Sequence, residues 1–181
     1  YDSSTFHQTV LGGNAQYDYA RSGNPNRTLL EEKLARLEGG KYAFAYASGI
    51  AAITAVLLTL KSDDHVILPD DIYGGTLRLT EQILNRFNIK FTTVNATNIL
   101  EIKNAIQSNT KLIYVETPSN PLFKITDIRA VARIAKQNNL LLAVDNTFMT
   151  PLGQSPLALG ADIVVHSATK FLGGHSDLIA G

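Results

Sequence analysis

The stretch LIYVETPSNPLFKITDIRAVARIAKQNNLLLAV, Leu112 to Val144, carries the pattern that decides the fold. Two short apolar runs, Leu112 to Val115 and Leu140 to Val144, flank a segment in which Ile128, Val131, Ala132 and Ala135 recur at i, i+3, i+4 and i+7. Continuous short apolar runs are what strands buried on both faces require, and the recurrence between them is the core-facing stripe of a helix. Thr126 or Asp127 stands where that helix needs a side-chain cap. Outward from this unit the same alternation continues. Tyr42 to Tyr46, Val66 to Leu68, Phe91 to Val94 and Ile163 to Val165 are further strand-like runs, and Leu30, Leu34 and Leu37 share one face of a helix closed by Gly39-Gly40. Repeated strand, helix, strand order implies an α/β fold in three layers, a mostly parallel sheet with right-handed crossovers and helices on both faces. No internal repeat, low-complexity segment or interdomain linker interrupts residues 29 to 181, which read as one domain. Residues 1 to 28 are polar, turn-rich and weakly periodic, as an arm reaching away from a domain is.

Composition limits what such a domain does. The chain has 181 residues, 45% of them apolar, enough to bury a sizeable core. Sixteen basic and sixteen acidic residues cancel, so no global field attracts nucleic acid or an anionic membrane. The absence of cysteine excludes disulfides and Cys-based metal sites. No apolar stretch approaches the roughly 18 residues of a membrane span, and Tyr1-Asp2-Ser3-Ser4 lacks the charged start of a signal peptide. The expected location is the cytoplasm. A start without methionine and the apolar approach Leu178-Ile179-Ala180-Gly181 read as the ends of a fragment.

The chemistry-bearing residues sit beside the apolar runs. Lys170 lies in Ser167-Ala168-Thr169-Lys170-Phe171-Leu172-Gly173-Gly174-His175, directly after Ile163-Val164-Val165. A lysine at the end of a buried strand is poorly solvated, which drives its amine toward the neutral form that condenses with an aldehyde. Asp145 ends the run Leu140 to Val144, where a carboxylate can hold a ring nitrogen protonated. Taken singly, a surface lysine and a turn aspartate explain both residues as well. Ser167 and Thr169, however, add hydroxyls able to donate to a phosphate, and Gly173-Gly174 permits a tight bend. The set matches what pyridoxal phosphate (PLP) asks of a protein: a lysine for its aldehyde and an acid for its ring nitrogen.

Other positions extend the set, each beside a plainer reading. Tyr19-Ala20-Arg21 is an anion clasp or a pair of surface residues. Ser48-Gly49-Ile50 precedes the helical run Ala51 to Leu60, so its N–H groups form an anion site at a helix start, unless the glycine merely makes a turn. Tyr73, before Gly74-Gly75, is a stacking and proton-transfer ring or a rim tyrosine. Asn120, in the loop Thr117-Pro118-Ser119-Asn120-Pro121 that two prolines should hold extended, offers an amide or simply turns the chain. Glu116 ends its strand and can orient neighbours, with no catalytic step assigned. His7, His65 and His175 have no partner at metal-ligand spacing and His166 reads as packed at a strand end, so no metal site is expected.

In this order, Tyr19-Ala20-Arg21, Ala47-Ser48-Gly49-Ile50-Ala51-Ala52, Tyr73-Gly74-Gly75-Thr76, Glu116-Thr117-Pro118-Ser119-Asn120-Pro121, Asp145-Asn146-Thr147 and Ser167-Ala168-Thr169-Lys170 resemble the cysteine/methionine-metabolism family of PLP enzymes. Within it, Phe148-Met149-Thr150-Pro151 and Lys170 to Asp177 look most like bacterial cystathionine beta-lyases. The resemblance implies the large domain of a fold-type I PLP enzyme. It implies that Lys170 carries the cofactor, that Asp145 meets its ring nitrogen and that Tyr73 stacks on the ring and joins acid/base steps. It also places Asn120 near the 3′ oxygen. Ser48, Gly49, Ile50, Thr147, Ser167 and Thr169 would complete the cofactor site, while Tyr19 and Arg21 would reach across a dimer interface to the neighbouring subunit's phosphate. A homo-oligomer follows, a dimer at least and a tetramer by resemblance, acting on a small amino acid without nucleic acid or membrane. The implied reaction splits cystathionine to homocysteine, pyruvate and ammonia, in the trans-sulfuration and methionine-biosynthesis chemistry of the family. Gamma-synthase or gamma-lyase chemistry and a non-catalytic PLP-binding homologue are the alternatives. The family's arginine for the substrate carboxylate would lie beyond Gly181, so the piece alone should be inactive.

Overall fold

The computed structural model describes Tyr17 and residues 19–181, so His7 and most of the expected arm lie outside the described residues. The chain divides into two compact units, one up to Ala45 and one from Tyr46 to Gly181.

The first unit is built on helix α1, Pro25–Glu38. Asn24 caps it by accepting from the N–H of Asn26 at 2.9 Å and of Arg27 at 3.2 Å, and Pro25 enters at the position whose N–H would lack a helical partner anyway. Gly39 closes it at φ 71°, with the Gly40 N–H returning to the Ala35 carbonyl at 2.7 Å. The predicted leucine face is only partly covered: Leu30 and Leu37 are exposed, and Ala35 and Glu38 are the buried residues. The run Tyr42 to Tyr46 does not form the expected strand. Among its residues only Tyr46 makes sheet-like reciprocal bonds, to Gly181 at 2.7 and 3.0 Å, and without a neighbour along its length the run leaves Tyr42 and Phe44 exposed.

The second unit holds helix α2, Gly49–Leu57, and a five-stranded sheet of β1, His65–Pro69; β2, Lys90–Val94; β3, Thr110–Glu116; β4, Leu141–Asp145; and β5, Ile163–Val165. Helix α3, Gly74–Gln82, and a 3-10 turn at Leu84–Phe87 join β1 to β2; α4, Ile99–Asn104, joins β2 to β3; α5, Ile128–Gln137, joins β3 to β4; and the short α6, Thr150–Gly153, follows β4. All pairings are parallel, in the order β2-β1-β3-β4-β5. The chain thus runs outward from β1 to β2, then turns back past β1 to β3 and continues the other way. That reversal is a topological switch point, and ligands of such sheets bind beyond the strands' carboxyl ends there.

Strand alternation sends side chains to two cores. Ile67, Ile113, Val115, Leu142 and Val144 pack under Ile102 of α4 and Val131, Ile134 and Ala135 of α5. Val66, Leu68, Leu112, Tyr114, Ala143 and Val165 pack against Ala52, Ile53 and Leu57 of α2 and Leu77 and Leu79 of α3. The connection running toward β2 lies on one face and those running toward β5 on the other, as one crossover hand requires. The expected three layers are present. Asp127 caps α5, accepting from the Ala130 N–H at 3.0 Å, and α2 starts two residues before the predicted Ala51 because Ser48, not Ile50, is its cap, accepting from Ala51 at 3.2 Å.

Candidate active site

A cleft of about 290 Å3 opens beyond the carboxyl ends of the strands. Every residue predicted for the site within the second unit lines it: Ser48, Gly49, Ile50, Tyr73, Asn120, Asp145, Thr147, Ser167, Thr169 and Lys170. Glu116, Phe148 and Ile53 line it as well. Tyr19 and Arg21 belong to the first unit, where both are exposed and the Arg21 guanidinium sits 5.0 Å from the Tyr19 ring centroid.

At one end is the start of α2. The N–H groups of Gly49 and Ile50 occupy the first helical positions, which have no carbonyl of the helix to bond, and they carry the positive end of its dipole. Gly49 lies so close to Ser167 that a methyl group on it would come 2.7 Å from Ser167 Cβ and 2.9 Å from its Cα. Glycine is required there by close approach, not for turn geometry. Ser167 is held in place by its N–H, which donates to Thr147 Oγ1 at 2.8 Å. Thr169 departs from expectation: its hydroxyl donates to the Ala180 carbonyl at 3.2 Å and accepts from the Ala180 N–H at 3.1 Å, so a phosphate would have to win it from that partner.

Asp145 ends β4 and is buried. Its Oδ1 accepts from the Thr147 N–H at 3.0 Å and hydroxyl at 2.5 Å, and its Oδ2 accepts from the Tyr114 hydroxyl at 3.0 Å. Burial raises its pKa above the ordinary aspartate value, and the Thr147 and Tyr114 bonds oppose that rise. Thr147 therefore serves the site through Asp145 and Ser167, linking the two. Tyr114, which the sequence reading passed over, is completely buried beneath the aspartate. Burial, then the charges of Asp145 and Glu116, push its own pKa well above 10, so it remains a phenol and a dependable donor. The signal available in the sequence was a polar-tipped residue in an otherwise aliphatic strand.

Lys170 corrects a second expectation. It lies on a turn beyond β5 rather than at the strand end, and it is exposed at the cleft instead of desolvated by the sheet. Its N–H donates to Ser167 at 3.0 Å and its carbonyl accepts from Gly174, whose φ of 79° makes the bend. The Asn120 loop is not extended either: the Ser119 N–H reaches the Lys124 carbonyl and the Phe123 N–H returns to Ser119, folding the segment back on itself. Tyr73, 46% exposed, stands immediately before α3, with Gly75 against its ring. Three loops of the site also meet through aromatic rings, Phe123 to Phe148 at 5.6 Å and Phe148 to Phe171 at 5.9 Å. Among the described residues, no group of three His, Asp or Glu side chains can hold a metal ion, and no helix is long and apolar enough to cross a membrane.

Known proteins resemble this chain in sequence and in fold. The chain is 86% identical over its whole length to the cystathionine beta-lyase MetC of Staphylococcus haemolyticus, covering 46% of that protein. Of the solved structures, metB from Corynebacterium glutamicum superposes with a TM-score of 0.94 at 46% identity over 99% of this chain and 47% of that one. The cystathionine gamma-lyase from Lactobacillus plantarum, complexed with L-serine, gives a TM-score of 0.91 at 49% identity over 93% of this chain and 44% of that one. The chain spans about half the length of the relatives it matches. The model of the Cys/Met metabolism PLP-dependent enzymes matches residues 1–181, and the chain belongs to that family.

Proposed function

We propose that the protein carrying this chain is a PLP-dependent carbon–sulfur lyase that cleaves cystathionine at its β carbon, giving homocysteine, pyruvate and ammonia. One observation supports this above the others: Lys170, the buried carboxylate of Asp145 and the N-terminus of α2 converge on one cleft. The donor set fits the cofactor, with N–H groups and hydroxyls for a phosphate at one end and an acceptor-only carboxylate for a ring nitrogen beneath.

Bound there, PLP would supply an electron sink that steadies the pair left at the substrate α carbon, and that pair would form the Cα–Cβ double bond as the Cβ–S bond breaks and the sulfur leaves with its electrons. The Lys170 amine takes the proton from the α carbon and returns one later. Asp145, aligned by Tyr114 and Thr147, holds the proton on the ring nitrogen. Tyr73 stacks against the ring and shares in proton transfer, and Asn120 donates toward the 3′ oxygen. Gly49 and Ile50 N–H groups, with Ser48, Ser167 and Thr169, take the phosphate. Tyr19 and Arg21, on an arm of residues 1 to 28, complete the phosphate site of a neighbouring subunit, which makes the working form a homo-oligomer of the cytoplasm. Gamma elimination or replacement uses these same residues and is the second reading, favoured by the resemblance to a gamma-lyase at 49% identity.

The test reduces the full-length protein with borohydride in the presence of PLP and maps the label by mass. One pyridoxyl group on Lys170 is expected, and none, or labelling scattered over several lysines, refutes the reading. Product analysis then assigns the chemistry. Pyruvate from cystathionine alone marks β elimination, 2-oxobutanoate marks γ elimination, and cystathionine formed from cysteine and an O-acylhomoserine marks the synthase. A labelled Lys170 without any turnover marks a non-catalytic homologue.

A further inference from the structure

Glu116 ends β3 directly beside Asp145 of β4, with which it is paired in register. It is 8% exposed and lines the cleft. Its two oxygens are used separately: Oε2 accepts from the Tyr73 N–H at 2.9 Å, and Oε1 accepts from the Asn120 N–H at 2.9 Å. Tyr73 follows β1 and Asn120 follows β3, so one carboxylate ties together loops from both sides of the switch point. A buried carboxylate next to another is costly. Burial first, and then the charge of Asp145, push the Glu116 pKa up to about 7, while its two N–H bonds oppose the rise. A core position with no task beyond filling space would be served better by an apolar side chain.

We propose that Glu116 is a positioning residue for the cofactor, fixing the main chain at Tyr73 and Asn120 and thereby setting the stacking ring and the amide against the cofactor ring. This rests on the PLP reading above. Only a carboxylate offers each N–H an acceptor; a glutamine has one oxygen, and its amide nitrogen cannot accept. The same two loops are also latched outside the cleft, where the Ser119 hydroxyl donates to Asp71 and Lys124 Nζ lies 3.0 Å from Asp70. Loss of the inner tie should therefore loosen the site without unfolding it.

The experiment compares full-length wild type with Glu116→Gln and Glu116→Asp, measuring apparent PLP affinity, visible circular dichroism of the bound cofactor, melting temperature and amide exchange of the apoprotein. In Glu116→Gln, faster exchange is expected at the Tyr73 or the Asn120 amide, with PLP affinity lower by about tenfold, the scale of one lost charge-assisted bond, and a changed dichroism band. Glu116→Asp keeps the charge but withdraws it by one methylene, so the same changes should appear at smaller size. Wild-type affinity and dichroism in both variants, whatever happens to the melting temperature, would overturn the assignment. If Glu116→Gln does not fold, an unchanged Glu116→Asp overturns it alone. A wild type that does not bind PLP sinks the cofactor reading and this assignment with it, whereas a PLP-binding wild type with indifferent variants sinks only the assignment.

Discussion

Tyr114→Phe isolates the support beneath Asp145. The substitution deletes one oxygen from a ring that is completely buried, so it leaves no sizeable cavity and keeps the packing against Leu112, Ala143 and Val165. What it removes is the 3.0 Å bond from the phenol to Asp145 Oδ2. A hydrogen bond to a charged group contributes about 1.5–3 kcal/mol, and here all of it favours the ionised form. Thr147 still donates twice to Oδ1, so the carboxylate survives with one oxygen short of a partner. Its pKa then rises further, in the direction burial already drives it. The ionised form is the one that holds a protonated ring nitrogen. PLP affinity of the apoprotein should therefore fall wherever Asp145 of the variant must first lose a proton, by up to about tenfold for about 1.4 kcal/mol of lost bond. The deficit should widen as pH falls, because protonation of a carboxyl with a raised pKa sets in at higher pH. Cofactor titration of full-length wild type and variant by absorbance between pH 6.5 and 8.5 measures both effects. Affinity within twofold of wild type across that range would refute the claim that Tyr114 holds Asp145 as an ion.

Two further substitutions test other parts of the fold. Gly49→Ala places a methyl 2.7 Å from Ser167 Cβ, so α2 must move off the strand end at an overpacking cost of about 1–3 kcal/mol; PLP affinity should drop together with the melting temperature, and an unchanged affinity would remove the α2 N-terminus from the phosphate site. His65, 1% exposed at the opposite end of the sheet, bonds Thr110 at 2.8 Å and Thr92 at 2.9 Å, and burial lowers its pKa. The unfolded chain therefore takes up its proton first, and the stability His65 contributes is present above about pH 6.5 and lost as pH falls below it. Glu116 slopes the other way, because its folded-state pKa is raised to about 7 and acidification relieves its burial. The histidine contribution is thus read as the difference in melting-temperature slope between wild type and His65→Gln from pH 7.5 to 5.5, and equal slopes would refute it.

The layers were legible in the sequence because they depend on periods of 2 and 3.6 residues, which local residues display. Ile128, Val131 and Ala135 announce α5 wherever the helix docks, and the apolar runs at Val66, Phe91, Leu112, Leu140 and Ile163 all became strands. Tyr42 to Tyr46 failed on the same logic, since an apolar run becomes a strand only where a neighbour pairs with it. Lys170 was recognised as a residue but misjudged as an environment: its exposure depends on the turn that carries it away from β5, and composition does not encode where a turn points.

The residues that most affect the site's geometry were the least readable, and strand order explains why. Tyr114 and Asp145 are 31 positions apart, and Glu116 and Tyr73 are 43 apart. Each pair meets only because β3 is inserted between β1 and β4 with Glu116 level with Asp145. A different strand order would keep every periodicity and every motif while separating these partners. The order in hand places β1 and β3 on the two sides of the switch point, so loops diverging from their ends open a crevice. Opening it deprives the loop N–H groups of Tyr73 and Asn120 of sheet partners, and these part-buried amides still need acceptors. Glu116 supplies both from the one strand end that faces each loop. The topology that creates the cleft thus also creates the need for a carboxylate at position 116. Its closeness to Asp145 follows from the strand register and is not by itself a sign of acid/base chemistry.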